Sequence, residues 1–352
     1  MAGRGGLLGV GLGVLGAGAL VGTLVERRLV GRPLQRAAEA GIGFGTLHSP
    51  PQVVTADDGV ELYVEVDPAR PGAAFADLTV VFCHGFTLNL DVWHHQRLAL
   101  SGTARTVFWD QRGHGRSGRP RPGGTDIDRL GRDLAAVLEA TAPTGPVVLV
   151  GHSMGGMTIM ALAADRPELF GDRVVGAGLL ATSSGGMNDV SFGLPAAVAR
   201  GLYRLAPGLL RIASGQPDLV DLGRRTGNDL EYLLTKAYSF GSDVPPATVD
   251  FVARLIAGTP VDVVAEFFPA FGAHDKATAL AVLQRVETLV MVGEDDRLTP
   301  PEHSRAIARA VPAAELVVLP ECGHLVLLEH PAVVEAHLTH LLERAQRLAR
   351  SA

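Results

Sequence analysis

Short runs of apolar residues recur along most of this chain, separated by stretches in which apolar positions have a helical spacing. The apolar runs are almost uninterrupted and occupy residues 78–83, 106–109, 147–150, 174–180, 288–292 and 316–319. Runs of this length are typical of strands that are buried on both faces of a parallel sheet. Stretches typical of helices lie between several of them, at residues 126–140, 154–164, 301–310 and 332–349. The alternation predicts an α/β fold with a mostly parallel central sheet flanked by helices.

A different pattern precedes the first buried run. Residues 60–66 (VELYVEV) alternate between apolar and polar positions, and Asp58-Gly59 directly before them is a turn sequence. Alternation with a period of two is typical of a strand with one exposed face. We therefore predict a hairpin in which residues 52–55 pair with residues 60–66.

The alternation of strands and helices stops between about residues 182 and 279. This stretch has helical apolar spacing, a Pro245-Pro246 break and no clear strand, and predicted sheet strands flank it on both sides. We interpret it as a helical cap insertion within one α/β domain that spans residues 46–352. Because ligands of α/β sheets bind at the carboxyl ends of the strands, the insertion is expected to roof such a site.

Composition and charge exclude several classes of function. The chain has 352 residues, of which 47% are hydrophobic and 19% charged, and this balance favours a packed globular core over disorder. The net charge of −6 gives no basic excess, so nucleic acid is not an expected partner. Two distant cysteines, Cys83 and Cys322, form neither a disulfide framework nor a zinc motif, so we expect no metal.

The first 36 residues form a separate N-terminal segment. Residues 5–25 contain no charged residue, which is about the length of a membrane-spanning helix, although eight of them are glycine. They are read as a membrane anchor, as a cleaved signal peptide, or as a peripheral or buried apolar helix. Arginines 27, 28, 32 and 36 follow the run, so an anchor would leave the main domain in the cytoplasm. Signal cleavage would instead place the domain in the cell envelope or outside the cell.

The strongest local signal is Gly151-His152-Ser153-Met154-Gly155, directly after one predicted strand and directly before one predicted helix. This is the nucleophile-elbow arrangement, in which a sharp reversal of the chain holds a serine hydroxyl at the start of a helix. Side chains two positions before and after the serine would collide, so both positions need glycine. The pattern predicts that Ser153 is a nucleophile.

A serine nucleophile needs a base, and the base needs an acid that orients it. In this fold the order along the chain is serine, acid, histidine. Glu294, Asp295 and Asp296 follow the predicted strand at 288–292, and His324 follows the strand at 316–319. Both loops lie at strand carboxyl ends, where the three groups would assemble.

Two backbone N–H groups should stabilise the oxyanion that forms when the serine attacks a carbonyl. One is expected from Met154, the residue after the nucleophile. The other is expected from Phe86, in the His84-Gly85-Phe86 loop after the strand at 78–83, where glycine permits close approach of the backbone to a ligand.

Taken together, these segments resemble the α/β-hydrolase superfamily, in its cap-bearing branch of Ser-His-Asp esterases and lipases. The matching segments are His84-Gly85-Phe86, the 110–118 loop DQRGHGRSG, the 151–156 elbow GHSMGG, the 293–296 loop GEDD and Gly323-His324, all in the family's order. The family's GxxD spacing selects Asp296 over Asp295 as the acid. The resemblance also implies that the 110–118 loop braces the floor of the site.

The resemblance implies a serine hydrolase that cleaves a small-molecule carboxylic ester through an acyl-enzyme, without a cofactor. Apolar residues of the cap, including Phe267, Phe268 and Phe271, favour an apolar or lipid-like acyl group if they face the site. The same triad also serves cofactor-free haloperoxidases, which are perhydrolases, and carbon–carbon and lactone hydrolases. A noncatalytic binding module stays open as well.

Two glycine patterns formally match a dinucleotide-binding motif, at residues 11–16 and 113–118. No predicted strand precedes the first, and Arg119-Pro120-Arg121-Pro122 follows the second, where the motif requires a helix. We therefore expect no nicotinamide or flavin cofactor.

Overall fold

The structure of the protein, a computed structural model, describes residues 43–121, 123–190 and 228–351. Eight strands form one sheet in the order β1-β2-β4-β3-β5-β6-β7-β8. The strands are β1 (Pro51–Thr55), β2 (Glu61–Asp67), β3 (Phe75–Cys83), β4 (Ala104–Trp109), β5 (Val147–His152), β6 (Val174–Leu180), β7 (Glu287–Gly293) and β8 (Glu315–Leu319). Strands β1 and β2 form the predicted antiparallel hairpin, β2 pairs antiparallel with β4, and all other pairs are parallel. The predicted α/β fold is confirmed.

Ten α-helices of the described residues surround the sheet or connect its strands. They are α1 (His94–Leu100), α2 (Ile127–Thr141), α3 (Met154–Asp165), α4 (Asn228–Ser239), α5 (Pro246–Gly258), α6 (Val261–Ala273), α7 (Leu280–Leu283), α8 (Pro301–Ala310), α9 (Val326–Glu329) and α10 (Pro331–Ser351). Helix α2 shows why a helix forms where the spacing predicts one. The Asp126 carboxylate caps its first turn by accepting from Arg129 N, and its apolar face is buried.

The central strands are apolar on both faces because both faces of the sheet carry a core. In β3, the side chains of Val80 and Phe82 belong to one hydrophobic cluster, and those of Val81 and Cys83 belong to another. Since successive side chains of a strand point to opposite faces, an unbroken apolar run fits this position. Burial on both faces holds the central strands in place. The loops that leave the ends of these strands carry the predicted site residues.

The predicted insertion lies between β6 and β7. Residues 191–227 of it are outside the described part, and its described residues contain helices α4, α5 and α6. The two ends of the insertion meet, because Lys276 N donates to the carbonyl oxygen of Ser184 at 2.7 Å. The insertion therefore leaves and re-enters the domain at one place.

The predicted apolar N-terminal run, residues 5–25, lies outside the described residues, as does the glycine pattern at 11–16. In the described part of the chain, no helix combines the length and the apolar character that a membrane crossing needs. The anchor and signal-peptide interpretations stay predictions.

Candidate active site

Ser153 stands at the sharp turn between β5 and α3, as the elbow pattern predicts. Its backbone has φ 52° and ψ −117°, a conformation that a residue with a side chain rarely adopts. Such a conformation costs about 1–3 kcal/mol and persists only where neighbouring groups impose it. Ser153 N donates to the carbonyl oxygen of Leu180 at 2.9 Å, and Thr182 Oγ1 donates to the carbonyl oxygen of Ser153 at 2.6 Å. These two bonds hold the strained residue from the neighbouring strand.

The glycines on either side of Ser153 are required by close backbone contacts. A Cβ atom at Gly151 would collide with the backbone of Gly155, and one at Gly155 would collide with the carbonyl group of Cys83, the last residue of β3. The turn can therefore seat α3 directly against the end of the neighbouring strand. This packing places Ser153 and the loop after β3 beside one another.

Asp296 and His324 come together as the predicted orienting acid and base. His324 Nδ1 lies 2.8 Å from Asp296 Oδ2, and both side chains are almost fully buried. When Nδ1–H donates to the carboxylate, the ring has Nε2 as its acceptor atom. This is the tautomer that a base needs to take a proton from serine.

Asp296 is held ionised by its surroundings. Burial opposes ionisation, but the charge and hydrogen bond of His324, together with donation from Thr299, outweigh burial and hold the pKa of Asp296 below its ordinary value. Leu298 N and Thr299 N donate to Oδ1 at 2.9 Å each, and Thr299 Oγ1 donates to Oδ2 at 2.8 Å. The carboxylate is thus fixed by four donors when His324 is counted.

The predicted oxyanion donors lie at the expected places in the chain. Met154 is the first residue of α3, where a backbone N–H has no acceptor within the helix. Phe86 lies in the loop after β3, and no backbone carbonyl of the described residues accepts from its N–H group. Both amides are therefore available to a ligand oxygen, and Phe86 also lines the same cavity as Ser153.

The 110–118 loop is hydrogen-bonded to the predicted oxyanion loop. Gln111 N donates to His84 Nε2 at 2.9 Å, and Gln111 Nε2 donates to the carbonyl oxygen of His84 at 2.6 Å. His84 Nδ1 must then carry the proton, which it donates to the carbonyl oxygen of Gly85 at 2.7 Å. Thr158 of α3 donates to Gln111 Oε1 at 2.7 Å, so one network links the elbow helix to the oxyanion loop.

Buried ion pairs and a buried carboxyl group stabilise the 110–118 loop. The Arg112 guanidinium is completely buried and pairs with Asp133 at 2.6 Å and with Asp58 at 2.8 Å. The hydrogen bond from Arg112, which outweighs burial, lowers the pKa of Asp58 to about 2. Asp110 is also buried, and burial raises its pKa to about 7 although it accepts from Leu90 N and Arg116 N.

An apolar cavity of about 200 Å³ lies above Ser153 and is shared by the α/β domain and the insertion. Ser153 and His324 both line it. The other lining residues are Phe86, Thr87, Leu88, His152, Met157, Met187, Ser239, Val252, Ile256, Phe268, Phe271, Leu298, Thr299 and Leu325. Helices α5 and α6 thus form part of its wall. Of the three cap phenylalanines singled out above, Phe268 and Phe271 line the cavity, whereas Phe267 is fully buried in the core.

Two residues of the candidate site were not predicted from the sequence, because they act through tertiary contacts. The first is His152, which lines the cavity and donates through its Nε2–H group to the carbonyl oxygen of His324 at 3.0 Å. Burial and the neighbouring His324 lower the pKa of His152 to about 3, so its ring is neutral. Thr299 is the second, and its place three residues after Asp296 is the signal that could have indicated it.

One cluster of metal-ligand side chains occurs in the described residues, formed by Cys322, Glu329 and His330, whose ligand atoms lie within 4.8 Å of one another. Both carboxylate oxygens of Glu329 already accept from backbone amides. Burial and the Glu329 charge raise the pKa of the Cys322 thiol above its ordinary value, which disfavours a thiolate ligand. The chemistry of this donor set does not favour a metal ion.

Comparison with known proteins agrees with this geometry. A family model described as alpha/beta hydrolase fold matches residues 79–331. The chain belongs to the α/β-hydrolase family. The matched region contains all five predicted site residues of this family member, from the oxyanion loop to the histidine loop.

The named relatives include hydrolases, a haloperoxidase and an acetyltransferase component of an acetoin cleaving system. This α/β hydrolase is 29% identical over 289 residues to a bifunctional esterase/perhydrolase of Acinetobacter calcoaceticus, a match that covers 77% of this chain and 92% of the relative. It is 41% identical over 104 residues to a non-heme chloroperoxidase of Streptomyces lividans, covering 29% of this chain and only 35% of that relative. A thermophilic esterase from Thermogutta terrifontis has a similar structure, with a TM-score of 0.61, 27% identity and coverage of 84% and 99% of the two chains. These similarities support a hydrolase.

Proposed function

We propose that this α/β hydrolase is a serine esterase acting on carboxylic esters with an apolar acyl group. The observation that carries the proposal is the 2.8 Å bond between His324 Nδ1 and Asp296 Oδ2 at the edge of the cavity that Ser153 also lines. A strained serine and a base that line one apolar cavity, with an orienting acid bonded to that base, are the components that acyl transfer requires.

In the proposed mechanism, Ser153 Oγ attacks the ester carbonyl while His324 Nε2 takes its proton. The Phe86 and Met154 amides donate to the oxyanion of the tetrahedral intermediate. His324 then protonates the leaving alcohol, and the ionised Asp296 stabilises the imidazolium in between. Water attacks the acyl-enzyme by the same route, which releases the acid and restores Ser153.

The lining of the cavity supports an apolar acyl group. Leu88, Met157, Val252, Ile256 and Phe271 surround the space next to Ser153. Transfer of apolar surface from water to an apolar environment lowers the free energy. A hydrocarbon acyl chain therefore binds such a lining better than a charged acyl group does. A lipid-like ester is one form of such a substrate.

The experiment is a hydrolysis panel with the full chain and with Ser153→Ala, using p-nitrophenyl acetate, butyrate, octanoate and palmitate. We expect hydrolysis by the wild type and a loss of at least about 1,000-fold in kcat in the variant. The chain length with the highest kcat/KM reports the acyl pocket. Equal turnover by both proteins would contradict the proposal.

A perhydrolase activity at the same site is the second candidate, and the similarity to a bifunctional esterase/perhydrolase favours it. In this reaction, hydrogen peroxide replaces water as the nucleophile that attacks the acyl-enzyme, and a peroxy acid leaves. Bromination of monochlorodimedone in acetate, bromide and hydrogen peroxide measures the peroxy acid. Peroxide-dependent bromination that disappears in Ser153→Ala supports this candidate, and equal bromination by both proteins excludes it.

A further inference from the structure

Glu329 connects the cap to the loop of the predicted base. It ends the short helix α9, five residues after His324. Its Oε2 accepts from Gly323 N at 2.8 Å, and its Oε1 accepts from Gly241 N at 2.9 Å and from Ser242 N at 2.5 Å. Gly241 and Ser242 belong to the turn between α4 and α5, the second of which lines the cavity. One carboxylate therefore accepts hydrogen bonds from two segments that are more than 80 residues apart in the chain.

These two segments touch through their backbones. A Cβ atom at Gly241 would lie 2.6 Å from the carbonyl carbon of Cys322, and one at Gly323 would lie 2.6 Å from the carbonyl carbon of Phe240. No side chain fits between them, so a displacement of the turn is transmitted to the loop. Leu325 N adds a direct bond to the carbonyl oxygen of Ser239 at 2.9 Å.

The two neighbours of His324 are thus both linked to the cap turn, one directly and one through a side chain. Gly323 is held through Glu329, and Leu325 is held by Ser239. The carbonyl of His324 itself is held by His152, and its ring by Asp296. The position of the imidazole is set jointly by the sheet and by the cap turn.

We propose that Glu329 is a positioning residue for His324, and that its carboxylate makes the 239–242 turn of the cap part of the catalytic apparatus. The proposal rests on the proposed esterase function. Glu329 itself touches no reacting atom. A base that is displaced by about 1 Å transfers protons far less efficiently, so the effect should fall on kcat rather than on substrate binding.

Glu329→Gln is the first test, because glutamine keeps the shape but places an NH₂ donor where an acceptor is needed. We expect kcat for p-nitrophenyl butyrate to fall about 10- to 100-fold while KM changes less than about threefold. Labelling of Ser153 by a fluorophosphonate should slow in parallel, since it also needs an aligned base. Circular dichroism melting identifies the temperatures at which each variant is folded.

Gly241→Ala is the second test, because it moves the turn without altering the carboxylate. We expect the same loss of kcat at an almost unchanged KM. Glu315→Gln is the matched control, since Glu315 forms ion pairs with His337 and Arg344 on the far side of the domain. The control should lose some stability and retain kcat.

A folded Glu329→Gln protein with the kcat and labelling rate of the wild type would overturn the proposal. Equal losses in kcat for Glu329→Gln and Glu315→Gln would also overturn it, because the effect would then be general instability. If the wild type hydrolyses no ester, the proposed function fails, and hydrogen–deuterium exchange tests the coupling separately. Faster exchange at both 239–242 and 322–325 in Glu329→Gln supports the coupling, and unchanged exchange overturns it.

Discussion

The Nε2 atom of His152 lies 3.0 Å from the backbone carbonyl oxygen of His324. His152 directly precedes the predicted nucleophile, so the bond joins the elbow to the loop of the predicted base. We expect His152→Phe to lower kcat about tenfold with little change in KM, because an aromatic ring still fills the position but the N–H donor is lost. Steady-state kinetics with p-nitrophenyl butyrate measures this effect.

His152→Gln is the matched control for that prediction. The glutamine Nε2 group can reach the position of the imidazole Nε2 and still donate to the His324 carbonyl. Activity should therefore be largely retained. A similar loss in both variants would mean that ring packing, and not the hydrogen bond, is what matters at this position.

Asp296 and its neighbour Asp295 offer a direct comparison of two carboxylates. Asp296 is buried against His324, whereas Asp295 is exposed. We expect Asp296→Asn to reduce kcat by about 1,000-fold or more, because an amide NH₂ cannot accept from Nδ1–H and favours the wrong tautomer. Asp295→Asn should stay within about twofold of the wild type, and a reversed ranking would assign the acid to Asp295.

Gly155 should tolerate no side chain. Its Cβ would collide with the carbonyl group of Cys83, so Gly155→Ala must push α3 away from β3. We expect a loss of more than about 3 kcal/mol in the free energy of unfolding, or failure to fold. Gly258→Ala is the control at an exposed helix end, where nothing lies within 4 Å of the added atom. Urea unfolding of the control should match the wild type to within about 1 kcal/mol.

Two phenylalanines of α6 should have separable roles. Phe271 lines the cavity, so Phe271→Ala should enlarge it and move the best p-nitrophenyl ester toward longer acyl chains. Phe267 is fully buried in the core, so Phe267→Ala should cost about 3–5 kcal/mol of stability through the void that it leaves. Chain-length profiles and urea unfolding of both variants test this division, which an unchanged profile in Phe271→Ala would refute.

Acid should destabilise the domain below about pH 6.5. Burial lowers the pKa of His84 and His152 to about 3 and that of His114 to about 4. The unfolded chain protonates these residues near pH 6.5, so between there and pH 4 it binds more protons than the folded state. Each histidine then removes up to about 1.4 kcal/mol of stability per pH unit. Asp110, with its pKa raised to about 7, acts in the opposite direction over the same range.

Urea unfolding at pH 7, 6 and 5 measures this dependence, and His114→Gln isolates one contribution. The variant cannot take up a proton at this position, so its free energy of unfolding should fall less steeply with acidification than that of the wild type. Equal slopes for the two proteins would show that His114 is protonated in the folded state.

Local requirements explain why much of the fold could be predicted and why several candidate site residues could be named. The unbroken apolar runs at β3 and β5 follow from burial on both faces of a sheet, which is a property of single strands. Gly151 meets a steric requirement within the turn itself, because a Cβ atom there would collide with the backbone of Gly155. Met154 and Phe86 could be named because each follows a strand end by a short, fixed distance.

No local sequence pattern predicted the hydrogen bonds that hold the His324 loop. The Glu329 carboxylate meets Gly241 across 88 positions of the chain, and His152 meets His324 across 172. Which of two adjacent aspartates faces the histidine also depends on how β7 and β8 lie side by side, and the family's spacing, not the local residues, selected Asp296. Packing between distant segments decided these contacts.

The sequence by itself determined the α/β architecture, the elbow and the candidate nucleophile, since each depends on periodicity or steric limits along neighbouring residues. Only the tertiary structure decided that His152 belongs to the site, that Phe267 is core while Phe271 lines the cavity, and that a cap turn supports the loop of the base. These outcomes depend on which surfaces meet when helices and strands pack. The sequence around a residue does not identify the distant residue that it will contact.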